Sequence, residues 1–557
     1  MNSRKHLVIY IFPVIVACSC NFEPGFVKTA PYLEKNGTSV QLFVDDKPFL
    51  ILGGELHNSS SSSLEYMKDI WPLLRESGMN TVLAGVEWAL VEPEEGTFDF
   101  SLVDGLIKDA RVNGLHLVLL WFGSWKNGQS HYVPGWIKVD YSRFKRVRTS
   151  DGKHLEILSP FCKESLEADA NAFSHLLKHI KETDSLRHTV IMIQVENEVG
   201  VLETSRDFSD AAIKEFNSPV PPELTDYLSE NREKLLPETR MIWSLNGYRT
   251  SGTWRNIFGN SLKTDEFFMA WNYARYVDYC AKKAKEAYNI PMYVNAWIIQ
   301  PGDKKPGDYP CGGPQAHLLD IWRAGSPHIN LYCPDIYLPD FAGICKIYTR
   351  SDNTLFIPES RSGEQGAGQL FYALGRYKAI GYSPFGFENR VKDFENGAIP
   401  RAYKLLSGMT PLILKAQSRD RINGVLLKKD IHPEEEIRLG NYNILAGLLK
   451  SRYSDTIPSL GYGIFIQTDT NEYVISGHDI QVSFTPATPG PAIAAIEWVD
   501  EGSFADGEWI PRRRLNGDAI MLDYDLAKMI HENRTGTGLR FFGNDRNIQR
   551  VRLYRFE

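Results

Sequence analysis

Eight apolar runs alternating with amphipathic helical stretches predict an α/β fold, a (β/α)8 TIM barrel. A tail of short strand-like pieces punctuated by glycines predicts an antiparallel β-sandwich behind it. The length of 557 residues agrees, because it exceeds one core and a barrel takes about 250 residues before insertions. The runs cover residues 48–57, 81–88, 115–123, 190–198, 292–297, 329–337, 355–359 and 381–388. Most are continuous rather than alternating, as expected of parallel strands covered on both faces. An open doubly wound sheet is the structural alternative, and the lack of a G-x-G-x-x-G after the first run counts against it.

Between the runs, Leu64, Met67, Trp71 and Leu74 recur at helical spacing, with Gly78 where a C-terminal cap belongs and Ser62 with Glu65 as a capping box. Leu102, Leu106 and Ala110 repeat the pattern and stop at Gly114. Leu166, Ala170, Phe173, Leu177 and Ile180 form the next stripe, and residues 267–288 a long helix before the fifth run. The long connections 201–265 and 301–327 are expected to shape the face where strands end. After about Pro411 the pattern turns to strands, expected at 424–427, 442–449, 463–468, 472–476, 480–484, 493–499, 519–522, 539–543 and 551–554. The expected division is 1–20 signal peptide, 21–44 linker, 45–410 barrel and 411–557 sandwich, the last acting as a brace.

At the N-terminus, Arg4 and Lys5 precede an apolar run over 7–17 that is too short to span a bilayer. It ends in Ile15-Val16-Ala17-Cys18, which resembles a bacterial lipobox. Cys18 is the expected lipidation site and Cys20 the second candidate; an ordinary secretory signal is the alternative. This reading places a lipoprotein in the periplasm or on the cell surface, held to the membrane only by its anchor. Cys162, Cys280, Cys311, Cys333 and Cys345 are an odd, scattered set rather than a disulfide framework. Neither C-x-x-C nor H-E-x-x-H occurs, so no metal and no cofactor are expected. A net charge of −7 argues against nucleic acid as a partner. Aromatics at 12% suit an oligosaccharide or polysaccharide, whose sugar rings stack on flat side chains.

Barrel enzymes carry their chemistry at the C-terminal ends of strands. There the fourth run ends in Glu196-Asn197-Glu198 and the seventh in Pro358-Glu359. A charge directly after a buried strand is costly unless it meets a cavity or a partner. Strands four and seven face each other across a barrel, so Glu198 and Glu359 can flank one bond. Glycosidic cleavage needs such a pair, one carboxyl protonated and one ionised, about 5–5.5 Å apart when the second attacks directly. Glu196 shares strand parity with Glu198 and is expected to meet a structural Arg or Lys.

Gln194-Val195-Glu196-Asn197-Glu198-Val199-Gly200 resembles the acid/base motif of glycoside hydrolase family 35, the β-galactosidases. Residues 88–100, Gly54-Glu55-Leu56-His57, Gly78-Met79-Asn80-Thr81-Val82 and Ile357-Pro358-Glu359-Ser360 resemble further segments of that family. The resemblance implies a retaining exo-glycosidase releasing terminal β-D-galactosyl residues by double displacement. Glu198 would be the acid/base, Glu359 the nucleophile and Asn197 the ligand of the sugar 2-hydroxyl. It further implies Tyr337 as the hydrogen-bond donor to the nucleophile. Trp297, Trp125, Asn127, His57 and Glu55 are the other substrate-binding candidates, and Glu388 and Asn389 end the eighth strand. Where the family carries Cys-Ala-Glu-Trp, this chain has Trp121-Phe122-Gly123-Ser124-Trp125-Lys126-Asn127. A β-glycosidase of different sugar specificity and a non-catalytic glycan-binding lipoprotein are the alternatives.

Overall fold

The computed structural model describes residues 29–389, 397–450, 456–505, 507–515, 517–522, 537–543 and 548–557. The expected signal peptide, with Cys18 and Cys20, lies outside the described residues. The chain opens with an antiparallel sheet of β1 (Tyr32–Asn36), β2 (Ser39–Val44) and β3 (Lys47–Phe49). This corrects the linker expected up to residue 44. Gly37, at φ +61°, and Thr38 make the two-residue hairpin turn, with glycine at the position that needs left-handed backbone. Leu42 and Val44 then join the buried cluster of Ile51, Leu83, Val118, Ile191 and Leu331, which closes the N-terminal end of the barrel.

The barrel strands are β4 (Ile51–Glu55), β5 (Thr81–Glu87), β6 (His116–Lys126), β9 (Val190–Asn197), β10 (Met292–Trp297), β11 (Leu331–Asp335), β12 (Ile357–Ser360) and β13 (Gly381–Pro384). A hairpin of β7 (Arg146–Arg148) and β8 (His154–Leu158) is inserted between β6 and β9. All eight barrel strands run parallel in sequence order around the sheet. The Ile336–Ser360 bridge, with the Ile336 N–H donating to the Glu359 carbonyl at 3.0 Å, joins the two ends and closes the barrel. Val118, Leu120 and Phe122 point inward, while Leu117, Leu119 and Trp121 meet the surrounding helices. Both faces of each strand are thus covered, which explains the continuous apolar runs.

The 201–265 connection folds into the helices Asp210–Phe216, Pro222–Glu230, Pro237–Leu245 and Trp254–Phe258. The first helical stretch breaks into Leu64–Met67 and Trp71–Glu76, and its cap is Ser63, whose hydroxyl accepts from the Tyr66 N–H, rather than Ser62. The helix Ala398–Ser418 runs straight through Pro411, so the expected barrel boundary at 410 falls inside it. Its apolar stripe continues past the proline to Ile413, Leu414 and Ala416, and this packing outweighs one missing backbone donor.

The C-terminal region is two antiparallel sheets. One orders β14 (Ile422–Lys428), β17 (Leu460–Asp469), β18 (Glu472–His478), β23 (Ile548–Phe556), β20 (Ile493–Ala505) and β21 (Glu508–Leu515). The other orders β15 (Glu434–Leu439), β16 (Tyr442–Leu448), β19 (Ile480–Pro486) and β22 (Leu539–Phe541). Val425, Ile444, Phe465, Ile475, Val482 and Phe541 fill the space between them. The strands β15 and β21 have no counterpart in the sequence expectation. Both are sheet edges, and their sequences EEEIRL and EWIPRRRL carry the charge that keeps an edge from pairing further. The strand expected at 519–522 is a turn with one bridge, Met521–Thr537.

Candidate active site

The C-terminal ends of β4, β9, β11 and β12 each contribute a buried carboxyl: Glu55, Glu198, Asp335 and Glu359. Glu198, Asp335 and Glu359 place one oxygen each within 4.8 Å of the others. Glu359 Oε2 accepts from the Tyr337 hydroxyl at 2.9 Å, while its Oε1 is buried and unpartnered. Glu198 accepts from Asn127 Nδ2, and its own N–H donates to Asn295 Oδ1 at 2.9 Å. Asn295 Nδ2 in turn donates to Asp335 Oδ2 at 2.7 Å, so one carboxamide couples the ends of β9, β10 and β11.

Burial, then the neighbouring charge of Glu359, pushes Glu198 up to about 7, against the ammonium of Lys126 and hydrogen bonds from Asp335 and Asn127. Glu55 is held well above the usual carboxylate range by burial, then by Glu359, with Glu198 adding and Lys126 opposing. Asp335 is likewise held well above it by burial, then by Glu359, Glu198 and Glu55. Four acids in one low-dielectric site cannot all ionise, so the cluster retains protons at neutral pH. Among the described residues, Glu198, Asp335 and Glu359 are also the group whose oxygens could converge on a cation.

Glu196 and Glu198 do not face alike. Both adopt left-handed backbone, φ +60° and +45°, which breaks the two-residue alternation of a strand and is uncommon for a residue with a Cβ. Glu196 turns away from the site to Asp169 on the helix Lys163–Asp184, and its Oε2 accepts from the Trp125 N–H at 2.7 Å. The expected Arg or Lys partner is thus a second carboxyl. Asp169 accepts from Trp121 Nε1 at 2.9 Å and from the Ser124 N–H at 3.1 Å. Burial, then the neighbouring carboxylate of Asp169, holds Glu196 well above the usual range, which favours its protonated form. Gly123 is required here, because a Cβ would lie 2.6 Å from Glu196 Oε1 and 2.8 Å from Asp169 Oδ1.

The remaining candidates separate. Asn127, at φ +53°, and Tyr337 touch the carboxyl pair. Trp297 is half-buried at the end of β10, where its carbonyl accepts from Gln315. Trp125 is fully buried, donates to the Leu158 carbonyl and packs edge-on against Tyr273 and Tyr276. It therefore belongs to the core and offers no face to a sugar. The His57 ring bonds Asn389 and packs against Phe385, and the backbone N–H of His57 donates to Glu388 Oε1 at 2.7 Å, so the residue joins strand one to strand eight. Asp335, Asn295 and Lys126 went unpredicted. The rule that selects Glu359 also selects Asp335, which ends the apolar run Leu331-Tyr332-Cys333-Pro334, and Asn295 is a polar interruption in Tyr293-Val294-Asn295-Ala296. Cys162, Cys280, Cys311, Cys333 and Cys345 are free and buried.

Residues 41–267 match the family described as Glycosyl hydrolases family 35. The chain resembles glycosyl hydrolases family 35. That match covers the family 35 side of the site, β4 to β9 with Asn197 and Glu198, whereas Tyr337 and Glu359 lie beyond it. Residues 399–522 match a second family, described as a domain of unknown function (DUF5597). A protein named β-galactosidase from Xanthomonas manihotis is 33% identical over 172 residues, 29% of this chain and 26% of that one. β-Galactosidase 14 of Arabidopsis thaliana is 26% identical over 214 residues, 36% of this chain and 22% of that one. The matched stretch is thus about a quarter of the length of these relatives. The crystal structure of β-galactosidase from the psychrophilic Marinomonas ef1 aligns with a TM-score of 0.44 at 10% identity, over 66% of this chain and 61% of that one.

Proposed function

We propose that the chain is a retaining exo-glycosidase that releases terminal β-D-galactosyl residues from oligosaccharides, with Glu198 as general acid/base and Glu359 as nucleophile. One observation carries this reading: one oxygen of Glu198 lies within 4.8 Å of one oxygen of Glu359, so the two carboxyls meet directly at the barrel mouth. Inversion needs room between the carboxyls for a water, at a group separation of about 6.5–9.5 Å, whereas direct attack with retention uses about 5–5.5 Å; oxygens this close favour the second. In the first step Glu198 gives its proton to the leaving oxygen while Glu359 attacks the anomeric carbon. In the second, ionised Glu198 takes a proton from the water that releases the sugar. The Tyr337 hydroxyl holds Glu359 in position through Oε2.

A β-glycosidase acting on another sugar is the second reading. It draws support from Lys126, which occupies the strand-three segment where the family carries a glutamate. The lipobox-like Ile15-Val16-Ala17-Cys18 supports an extracytoplasmic site of action. A panel of aryl β-glycosides tests the activity: galactoside, glucoside, fucoside, xyloside and α-arabinopyranoside. Fastest turnover of the galactoside is expected; fastest turnover of another member would move the assignment to that sugar. Glu198→Ala with added azide should return the β-glycosyl azide, and the α-anomer would overturn retention.

A further inference from the structure

Lys126 ends β6 and pairs in register with Asn197 on β9. Its side chain is buried, 5% exposed, and passes over the Phe122 ring with Nζ 5.2 Å from the centroid. A buried ammonium is costly unless charge and hydrogen bonds compensate it. Here Nζ donates to Asn197 Oδ1 at 3.0 Å, and its charge reaches both Glu55 and Glu198. An ammonium carries three donors and no acceptor, so it accepts only one orientation of the Asn197 carboxamide: oxygen towards Lys126, nitrogen away. Asn197 Nδ2 is then left buried and unpartnered. The group Asn197 can offer a ligand is therefore a donor, and a sugar hydroxyl must meet it through its oxygen.

We propose that Lys126 is a positioning residue: its ammonium locks Asn197 as a hydrogen-bond donor to the substrate 2-hydroxyl and supplies the positive charge that balances the carboxyl cluster around Glu198. The 2-hydroxyl role rests on the glycosidase reading above. Glu198 is faced by Glu359 from β12, Asp335 from β11, Asn127 and Lys126 from the end of β6, and it acts on Glu55 of β4. Removing the one cation in that set leaves the acids to repel one another, and Glu198 keeps its proton to higher pH.

Infrared titration of the carboxyl stretch, each protein minus its Glu198→Gln counterpart, reads the Glu198 midpoint without substrate. In Lys126→Met the midpoint should rise by about one pH unit or more, and in Lys126→Arg it should stay near the wild-type value. An unmoved midpoint in Lys126→Met overturns the charge role. The second readout is the kcat/KM ratio between the glycoside that wild type hydrolyses best and its 2-deoxy analogue. Lys126→Met should shrink that ratio by about tenfold or more, the worth of a charge-assisted contact, whereas a general loss of structure lowers both values and leaves the ratio. An unchanged ratio overturns the Asn197 role. Lys126→Gln guards against a Met variant that fails to fold: without the charge its midpoint should rise, and because its carboxamide can accept as well as donate, Asn197 is no longer locked and the ratio should fall too; an unmoved midpoint and an unmoved ratio overturn the charge role and the Asn197 role respectively. If wild type hydrolyses no member of the panel, the glycosidase reading fails, and the infrared titration still decides the charge role of Lys126.

Discussion

Two clusters of buried carboxyls lie a few residues apart in this barrel, and they are built in opposite ways. Glu196 and Asp169 are held by Trp121 Nε1 and the N–H groups of Ser124 and Trp125, which leave one oxygen of the pair, Glu196 Oε1, buried without a partner. Glu55, Asp335 and Glu359 instead keep buried oxygens without partners, and the ammonium beside them is shared with Asn197. A polar network whose oxygens mostly meet fixed donors specifies one packing, whereas one with several orphaned oxygens stores a cost that a ligand can relieve. The first cluster is therefore read as scaffold for the loop that carries Lys126 and Asn127, and the second as the place where a substrate is met.

The largest effect should separate them by activity. Glu359→Gln should lose on the order of 10^4-fold or more in kcat, because a neutral carboxamide replaces the attacking carboxylate. Its melting temperature should hold or rise, because removing one charge relieves repulsion among the four acids. A variant with most of its turnover intact would end the nucleophile assignment and with it the contrast.

Next in size, Asp169→Ala should lower stability by about 2–4 kcal/mol in chemical denaturation, since it strands the Trp121 donor, the Ser124 N–H and Glu196 together. Loss of stability no greater than that of Glu359→Gln would show the two clusters to be alike. The smallest effect is a titration. Glu198, raised to about 7, acts as an acid only when protonated, so kcat/KM should fall as pH rises through about 7. A plateau extending well above that pH would mean that another group delivers the proton.

Much of this was legible from one dimension. The barrel could be read because burial on both faces forces continuous apolar runs, and such runs ending in a charge drew attention to Glu198 and Glu359. The sandwich was legible where strands are apolar, the edges β14 and β22 included, and illegible at the edges β15 and β21, where charge replaces apolar residues. Trp125 reads equally as a platform or as core, and only the rings of Tyr273 and Tyr276 packed against it decide.

By itself, then, the sequence determined the order of strands and helices and the residues that end each strand, because hydrophobic periodicity and end-of-strand charge are local signals. Tertiary structure alone decided which way those ends face. Two left-handed residues send Glu196 to Asp169 and Glu198 to Glu359, although strand periodicity puts both on one side. The convergence of Asp335, Asn295 and Lys126 on the same point is likewise a product of barrel closure, which brings together residues more than two hundred positions apart.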